Sequence, residues 1–116
     1  MKVRVIRDYK CAYPEPLIAK EGDTFKMKRK KAEWKGWKWC IRNEDGARGW
    51  IPEVYIKIDG GNATLKQDYD ATELTVKQGD KLTILTEAAG WYYCSNKEKE
   101  KGWVPKANTR VLKKKK

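Results

Sequence analysis

The side chains of this sequence best suited to binding a ligand are its aromatic rings. The 116 residues include six Trp and six Tyr but only one Phe. Rings with a polar edge or a hydroxyl pack on one side and hydrogen-bond on the other, so they are typical of half-exposed binding surfaces. Some of these Trp could instead close the ends of small cores. We expect at least three of the six to line a groove.

The remaining chemistry disfavours catalysis. The chain has no His, no glycine-rich phosphate loop and no nucleophile elbow. Cys11 and Cys94 therefore lack a His that could activate a thiolate. Three Cys without a CxxC pair and without His do not form a typical structural zinc site. The sequence predicts a protein that is not an enzyme and that uses neither a metal nor a cofactor.

The aromatic residues belong to a repeat. Gly49–Pro52, which reads Gly-Trp-Ile-Pro, returns 53 residues later as Gly102–Pro105, which reads Gly-Trp-Val-Pro. A repeat of this period divides the chain into two modules of about 55 residues. Cys40 and Cys94 occupy equivalent places ahead of these stretches, and we expect both to be small buried core residues.

Short strands position these residues. Thr24–Lys28 alternates apolar and polar residues as a half-buried strand does, and Trp37–Arg42 has the composition of a strand. Short strands with Gly-containing turns and almost no helix pattern predict an all-β fold of two small antiparallel barrels. The predicted divisions are a first domain at 1–58, a flexible Gly-rich linker at 59–62, a second domain at 63–112 and a disordered lysine tail at 113–116.

Four short motifs occur in the same order in both modules. The first copy contains Asp8-Tyr9, Gly22-Asp23, Gly36-Trp37 and Gly49–Pro52, followed by Tyr55. The second copy contains Asp68-Tyr69, Gly79-Asp80, Gly90-Trp91 and Gly102–Pro105. This order covers nearly the whole chain and resembles the Src homology 3 (SH3) domain. The resemblance implies two tandem five-stranded barrels, each with a shallow aromatic groove for proline-rich peptides.

The resemblance also implies which residues line the grooves. They are Tyr9, Trp37, Trp50, Pro52 and Tyr55 in the first copy, and Tyr69, Trp91, Trp103 and Pro105 in the second. The second copy is divergent, because the loop after Tyr69 is three residues shorter than the loop after Tyr9, and Asn108 stands where Tyr55 stands. We therefore expect the first copy to be the main peptide-binding domain.

The charge of the chain leaves two further alternatives open. The net charge is +11, and the loop predicted to face the first groove carries a basic patch of Lys28, Arg29, Lys30, Lys31 and Lys35. Such a patch would repel a cationic peptide and favour an acidic one, although it is also typical of a solvated hairpin tip. Basic loops beside exposed Trp residues also make nucleic-acid binding the alternative function.

The predicted partner is thus a protein or peptide segment, proline-rich or acidic, with nucleic acid as the alternative. A third interpretation is a mainly structural pair of barrels, or one that binds a cell-wall-like ligand. No stretch reaches membrane-spanning length, and the amino terminus begins with a strand pattern instead of a signal sequence. We expect a cytoplasmic monomer without membrane insertion.

Overall fold

The computed structural model describes residues 1–12, 15–29 and 35–112. Two residues of the predicted basic patch, Lys30 and Lys31, and the predicted lysine tail at 113–116 lie outside the described residues. The regular structure of the described part is β-strand, with single 3-10 turns at Glu53–Tyr55 and Lys106–Asn108. The prediction of an all-β fold is confirmed.

The strands, in chain order, are β1 (Lys2–Val5), β2 (Ile18–Ala19), β3 (Thr24–Lys28), β4 (Trp37–Arg42), β5 (Arg48–Pro52), β6 (Ile56–Asp59), β7 (Asn62–Leu65), β8 (Tyr69–Asp70), β9 (Lys81–Ala88), β10 (Trp91–Ser95), β11 (Lys101–Pro105) and β12 (Thr109–Val111).

The chain folds into two compact units, and their boundaries differ from the predicted domains 1–58 and 63–112. One unit, called the split unit below, consists of Met1–Pro14 and Thr72–Lys116. The other, called the continuous unit, consists of Glu15–Ala71. The chain therefore passes from one unit to the other within the two loops that follow the Asp-Tyr motifs. Each unit takes its opening strand from the other copy of the repeat.

The split unit contains a five-stranded antiparallel sheet in the order β11-β10-β9-β1-β12. The strand that comes from the other copy is β1, which lies between β9 and β12. Its Val3 pairs with Leu82 on β9 and with Val111 on β12. Val3 and Val5 are fully buried because alternate residues of a strand point to the same face. The other buried residues of this core are Leu74, Val76, Leu82, Tyr92, Cys94 and Val104.

The continuous unit contains the equivalent sheet, in the order β5-β4-β3-β7-β6, and β2 pairs with β8 beside it. Here the strand that comes from the other copy is β7, the first strand of the second copy, which lies between β3 and β6. Ala63 on β7 pairs with Phe25 on β3 and with Ile58 on β6. Ala63 and Leu65 turn into the core, so β7 contributes to this unit what β1 contributes to the split unit.

The predicted linker is a hairpin turn. Asp59 ends β6 and pairs with Asn62, which begins β7, so that Gly60 and Gly61 form a two-residue loop. Gly60 has a φ of 61°, in the left-handed region that tight hairpin loops require and that Gly adopts without strain. The prediction of a flexible joint is therefore corrected. Because a two-residue loop can connect only adjacent antiparallel strands, β6 leads directly into β7.

The cysteine prediction is confirmed. Cys40 and Cys94 are both fully buried. Cys40 lies on β4 and Cys94 on β10, and each of these strands is the second from one edge of its sheet. Burial raises the pKa of the Cys40 thiol to about 12 and that of Cys94 to about 11, because a thiolate loses its hydration in the core. Both side chains act as small apolar groups.

Candidate peptide-binding grooves

The exchange of opening strands redistributes the predicted groove residues. Tyr9 follows β1 and lies in the split unit, together with Trp91, Trp103 and Pro105. Tyr69 follows β7 and lies in the continuous unit, together with Trp37, Trp50, Pro52 and Tyr55. Each unit therefore combines the Asp-Tyr motif of one copy with the two Gly-Trp motifs of the other.

The Asp of each Asp-Tyr motif binds a turn of the other copy. Asp8 Oδ1 accepts a hydrogen bond from the backbone N–H of Gln78 at 2.6 Å. Asp68 Oδ1 accepts the equivalent bond from Glu21 at 2.9 Å. Gln78 and Glu21 hold the same place in the two Lys-x-Gly-Asp turns. These carboxylates therefore position the Asp-Tyr segments and fix the exchanged strands in register.

In the split unit, Tyr9 and Trp91 form an aromatic corner. Their ring centroids lie 5.6 Å apart with an interplanar angle of 84°, an edge-to-face arrangement. Trp91 opens β10, and its direct partner on β11 is Pro105. All three residues are partly exposed. The corner thus offers two rings and a pyrrolidine as an accessible apolar surface.

Hydrogen bonds hold the corner from two sides. The Tyr9 hydroxyl donates to Glu73 Oε1 at 2.8 Å, and the same oxygen accepts the Ala12 N–H at 2.8 Å. Asn108, which replaces the Tyr of the first copy, donates through Nδ2 to the Asp8 carbonyl at 3.0 Å. The departure that suggested a weaker groove therefore supports the segment that carries Tyr9.

Trp103 is not part of the accessible surface, because only 3% of it is exposed. Its backbone N–H donates to the Thr72 carbonyl at 2.9 Å, and its carbonyl accepts the Leu74 N–H at 3.1 Å. The segment from Thr72 to Leu74 therefore runs along this end of β11. The Trp103 ring lies 5.3 Å from the ring of Tyr93.

The continuous unit brings four of its predicted residues together and buries them. Pro52 is the direct partner of Trp37, and the rings of Tyr55 and Tyr69 lie 5.7 Å apart. The Tyr69 hydroxyl donates to the Trp50 carbonyl at 2.8 Å. Trp37 and Tyr55 are each 8% exposed, Tyr69 is 5% exposed, and Pro52 is fully buried. These four residues therefore offer little accessible surface to a ligand.

Trp50 remains partly exposed and packs against Trp39, with ring centroids 5.3 Å apart and an interplanar angle of 70°. Lys28 on β3 is the direct partner of Trp39 on β4. Lys28, Arg29 and Lys35, the described residues of the basic patch, are exposed and belong to this unit. Trp50 and these basic residues are therefore in a different unit from the Tyr9–Trp91 corner.

Arg42, another basic residue of the continuous unit, is held by acidic partners. Its Nη1 lies 3.0 Å from Asp23 Oδ2, and its Nε lies 2.9 Å from Asp45 Oδ1. The hydrogen bond from Arg42 is the main cause that lowers the pKa of Asp45 to about 2. The Asp45 contact closes the hairpin turn that follows β4, and the Asp23 contact joins β4 to the turn before β3, so Arg42 has a structural role.

Sequence reasoning missed Glu73 and Glu87, and it treated Asn108 only as a sign of divergence. Glu87 Oε2 accepts Lys106 Nζ at 2.8 Å, and this ammonium lies 5.3 Å from the centre of the Tyr92 ring. These contacts join residues that are far apart in the sequence, so no short motif indicates them. The exchange itself did have a signal, because Gly60-Gly61 between two strand patterns is also the composition of a hairpin turn.

Within residues 1–12, 15–29 and 35–112, no helix is long and apolar enough to cross a membrane. The His, Cys, Asp and Glu side chains of these same residues form no group that could hold a metal ion.

Two family models match the chain. The model described as a variant SH3 domain matches residues 2–59, and the model described as an SH3 domain matches residues 67–106. No solved structure matches the chain. The two matches confirm the tandem resemblance and the prediction of two barrels. SH3 domains are non-catalytic protein-interaction modules that bind proline-rich peptides.

Proposed function

The chain belongs to the SH3 domain family, and we propose that its split unit binds a proline-rich peptide on Tyr9, Trp91 and Pro105. The observation that supports this proposal is the accessibility of the rings. Tyr9 and Trp91 are partly exposed at their edge-to-face corner beside Pro105, whereas Trp37 and Tyr55 of the continuous unit are each only 8% exposed and its partly exposed Trp50 packs on Trp39. The main site that we propose is therefore in the unit that contains Trp91, whereas the sequence favoured the first copy.

The chemistry of the corner suits a polyproline-type helix. Such a helix is extended and rigid before it binds, so that little conformational entropy is lost on binding. Its pyrrolidine ridges pack against flat aromatic faces, and the contact area is small enough for a weak, transient interaction. Glu73 and Asn108 keep Tyr9 in place by the hydrogen bonds described above, so the corner is preorganised for its ligand.

The charged side chains Glu73, Glu87 and Lys106 near the corner already have partners within the protein. Glu73 accepts two hydrogen bonds through one oxygen, and Glu87 is paired with Lys106. Acidic peptides were the alternative because of the basic patch, but Lys28, Arg29 and Lys35 belong to the continuous unit. Binding at the corner should therefore depend mainly on ring packing and should change little with salt.

The test is a titration of the full chain with a mixed pool of proline-rich decapeptides, followed by backbone amide and indole NMR signals. We expect the Trp91 indole to shift and the Trp37 indole to stay in place. Trp91→Ala should weaken binding at least tenfold, since a central aromatic residue of an interface often contributes 2 kcal/mol or more. The matched variant Trp39→Ala, in the continuous unit, should bind the peptide as the wild type does.

The opposite pattern would contradict the proposal. If the Trp37 indole shifts and Trp91→Ala retains full affinity, the peptide binds the continuous unit. If an acidic peptide binds and the proline-rich pool does not, the groove is not the site.

A further inference from the structure

A row of like charges crosses the sheet of the split unit. Arg4 on β1 pairs directly with Lys81 on β9 and with Arg110 on β12. Directly opposed residues of neighbouring strands point to the same face, and Val3 and Val5 on either side of Arg4 are buried, so this row faces away from the core. All three basic residues are exposed.

The adjacent row extends the positive charge. Lys2 pairs with Thr83, Thr83 pairs with Ser95, and Ser95 pairs with Lys101, all on the same outer face. Among the described residues, none of Lys2, Arg4, Lys81 and Arg110 forms an ion pair. We call these four residues the basic face.

The sheet itself does not require this arrangement. Directly opposed side chains lie about 5 Å apart, and like charges at such positions destabilise a sheet. The equivalent row in the continuous unit is Lys57, Thr64 and Thr24, which carries one charge. The fold is therefore compatible with a nearly neutral row at this place.

The exchange of opening strands creates the basic face. β7, which has Asn62 and Thr64 at the places of Lys2 and Arg4, would lie beside β9 and β12 if each copy folded by itself. Instead, β1 brings Lys2 and Arg4 between Lys81 and Arg110. The charges of two copies are thereby concentrated on one sheet.

We propose that the basic face binds the phosphate backbone of a nucleic acid without reading its base sequence. Arg guanidinium groups donate paired hydrogen bonds to phosphate oxygens, and Lys adds a point charge. Thr83 and Ser95 provide hydroxyl donors between the charged residues, and such groups commonly contact phosphates. Both rows consist of charged and hydroxyl side chains, so the proposed contacts are to the backbone. The proposal is separate from the peptide corner.

The test uses a labelled mixed-sequence DNA duplex of 16 base pairs and the full chain. The double variant Arg4→Thr/Lys81→Thr is compared with Lys66→Thr/Lys97→Thr, which removes two exposed lysines outside the face and leaves the same net charge. Four phosphate contacts predict a slope of about −3.6 for log K against log salt. The first variant should reduce this slope by about 1.8 units and weaken binding more than tenfold at ~100 mM salt. The control should stay within threefold of the wild type.

Stability gives a second readout that a merely structural role would not produce. Arg4→Thr introduces the residue that the continuous unit has at this place, and it relieves repulsion, so its urea midpoint should rise while its DNA affinity falls. Equal losses of affinity in both double variants would overturn the proposal. So would tight binding to vesicles of anionic lipid by a chain that does not bind the duplex, or a tenfold preference among duplex sequences.

Discussion

Gly102 is closely packed against Glu73 and Leu74, which follow the point where the chain enters the split unit at Thr72. A Cβ at Gly102 would lie 2.7 Å from the Leu74 backbone nitrogen and 2.9 Å from Leu74 Cβ. A Cβ at the equivalent Gly49 would lie 3.1 Å from the Cβ of Leu17 and would meet only side-chain atoms. The same motif glycine therefore faces backbone in one unit and a side chain in the other.

This difference predicts unequal effects of the same substitution. Gly102→Ala should lower the free energy of unfolding of the split unit by about 1–3 kcal/mol, because the backbone of Leu74 must move. Gly49→Ala should lower that of the continuous unit by less than about 1 kcal/mol, because the contact with Leu17 Cβ is 3.1 Å and is relieved by a smaller movement. Urea titrations followed by the indole signals of Trp91 and Trp37 measure the two units separately. Equal destabilisation, or a larger effect at Gly49, would contradict the packing described.

At the scale of the strand, local patterns predicted the elements well. Trp37–Arg42 and Thr24–Lys28 are strands with the predicted bounds. These features depend on alternation, Gly and Pro, all of which act over a few residues. The local sequence therefore contains enough information for strand positions and for the family resemblance.

The same patterns could not assign the opening strands to a barrel. Val3 and Val5 alternate with charged residues, and Ala63 and Leu65 alternate with polar residues, so both strands have one apolar face. Alternation shows which face is buried but not which neighbouring strands bury it. For this reason the groove sets predicted from sequence paired Tyr9 with Trp37, whereas the folded chain pairs Tyr9 with Trp91.

The exchange predicts the outcome of a matched pair of core substitutions. Leu65→Ala should destabilise the continuous unit by about 2–5 kcal/mol, since Leu65 is buried there. Val5→Ala should destabilise the split unit by roughly 2 kcal/mol. The readout is amide and indole hydrogen exchange. Trp39 and Trp50 report on the continuous unit, and Trp91 and Trp103 report on the split unit.

Consecutive domains would give the reverse result. Val5→Ala would then loosen Trp39 and Trp50, and Leu65→Ala would loosen Trp91 and Trp103. The double variant provides a control, because substitutions in separate units should add.

At the scale of the whole molecule, the exchange distributes charge unevenly. The continuous unit, Glu15–Ala71, contains twelve Lys and Arg and ten Asp and Glu, whereas the split unit contains fifteen and six. Halves cut at the linker would have carried almost equal charge. The split unit thus combines the accessible aromatic corner with most of the positive charge of the chain.

The two units differ in the exposure of their predicted groove rings, so we expect them to differ in peptide binding. One chain should bind one proline-rich peptide. The rings of Trp37, Tyr55 and Tyr69 are at most 8% exposed, whereas Tyr9 and Trp91 form a partly exposed corner beside Pro105. Calorimetric titration of the full chain should give a stoichiometry of one. Tyr9→Ala should abolish the heat of binding even though Tyr9 and Trp91 come from different copies of the repeat. A stoichiometry of two, with half the sites surviving Tyr9→Ala, would mean that the continuous unit opens to bind as well.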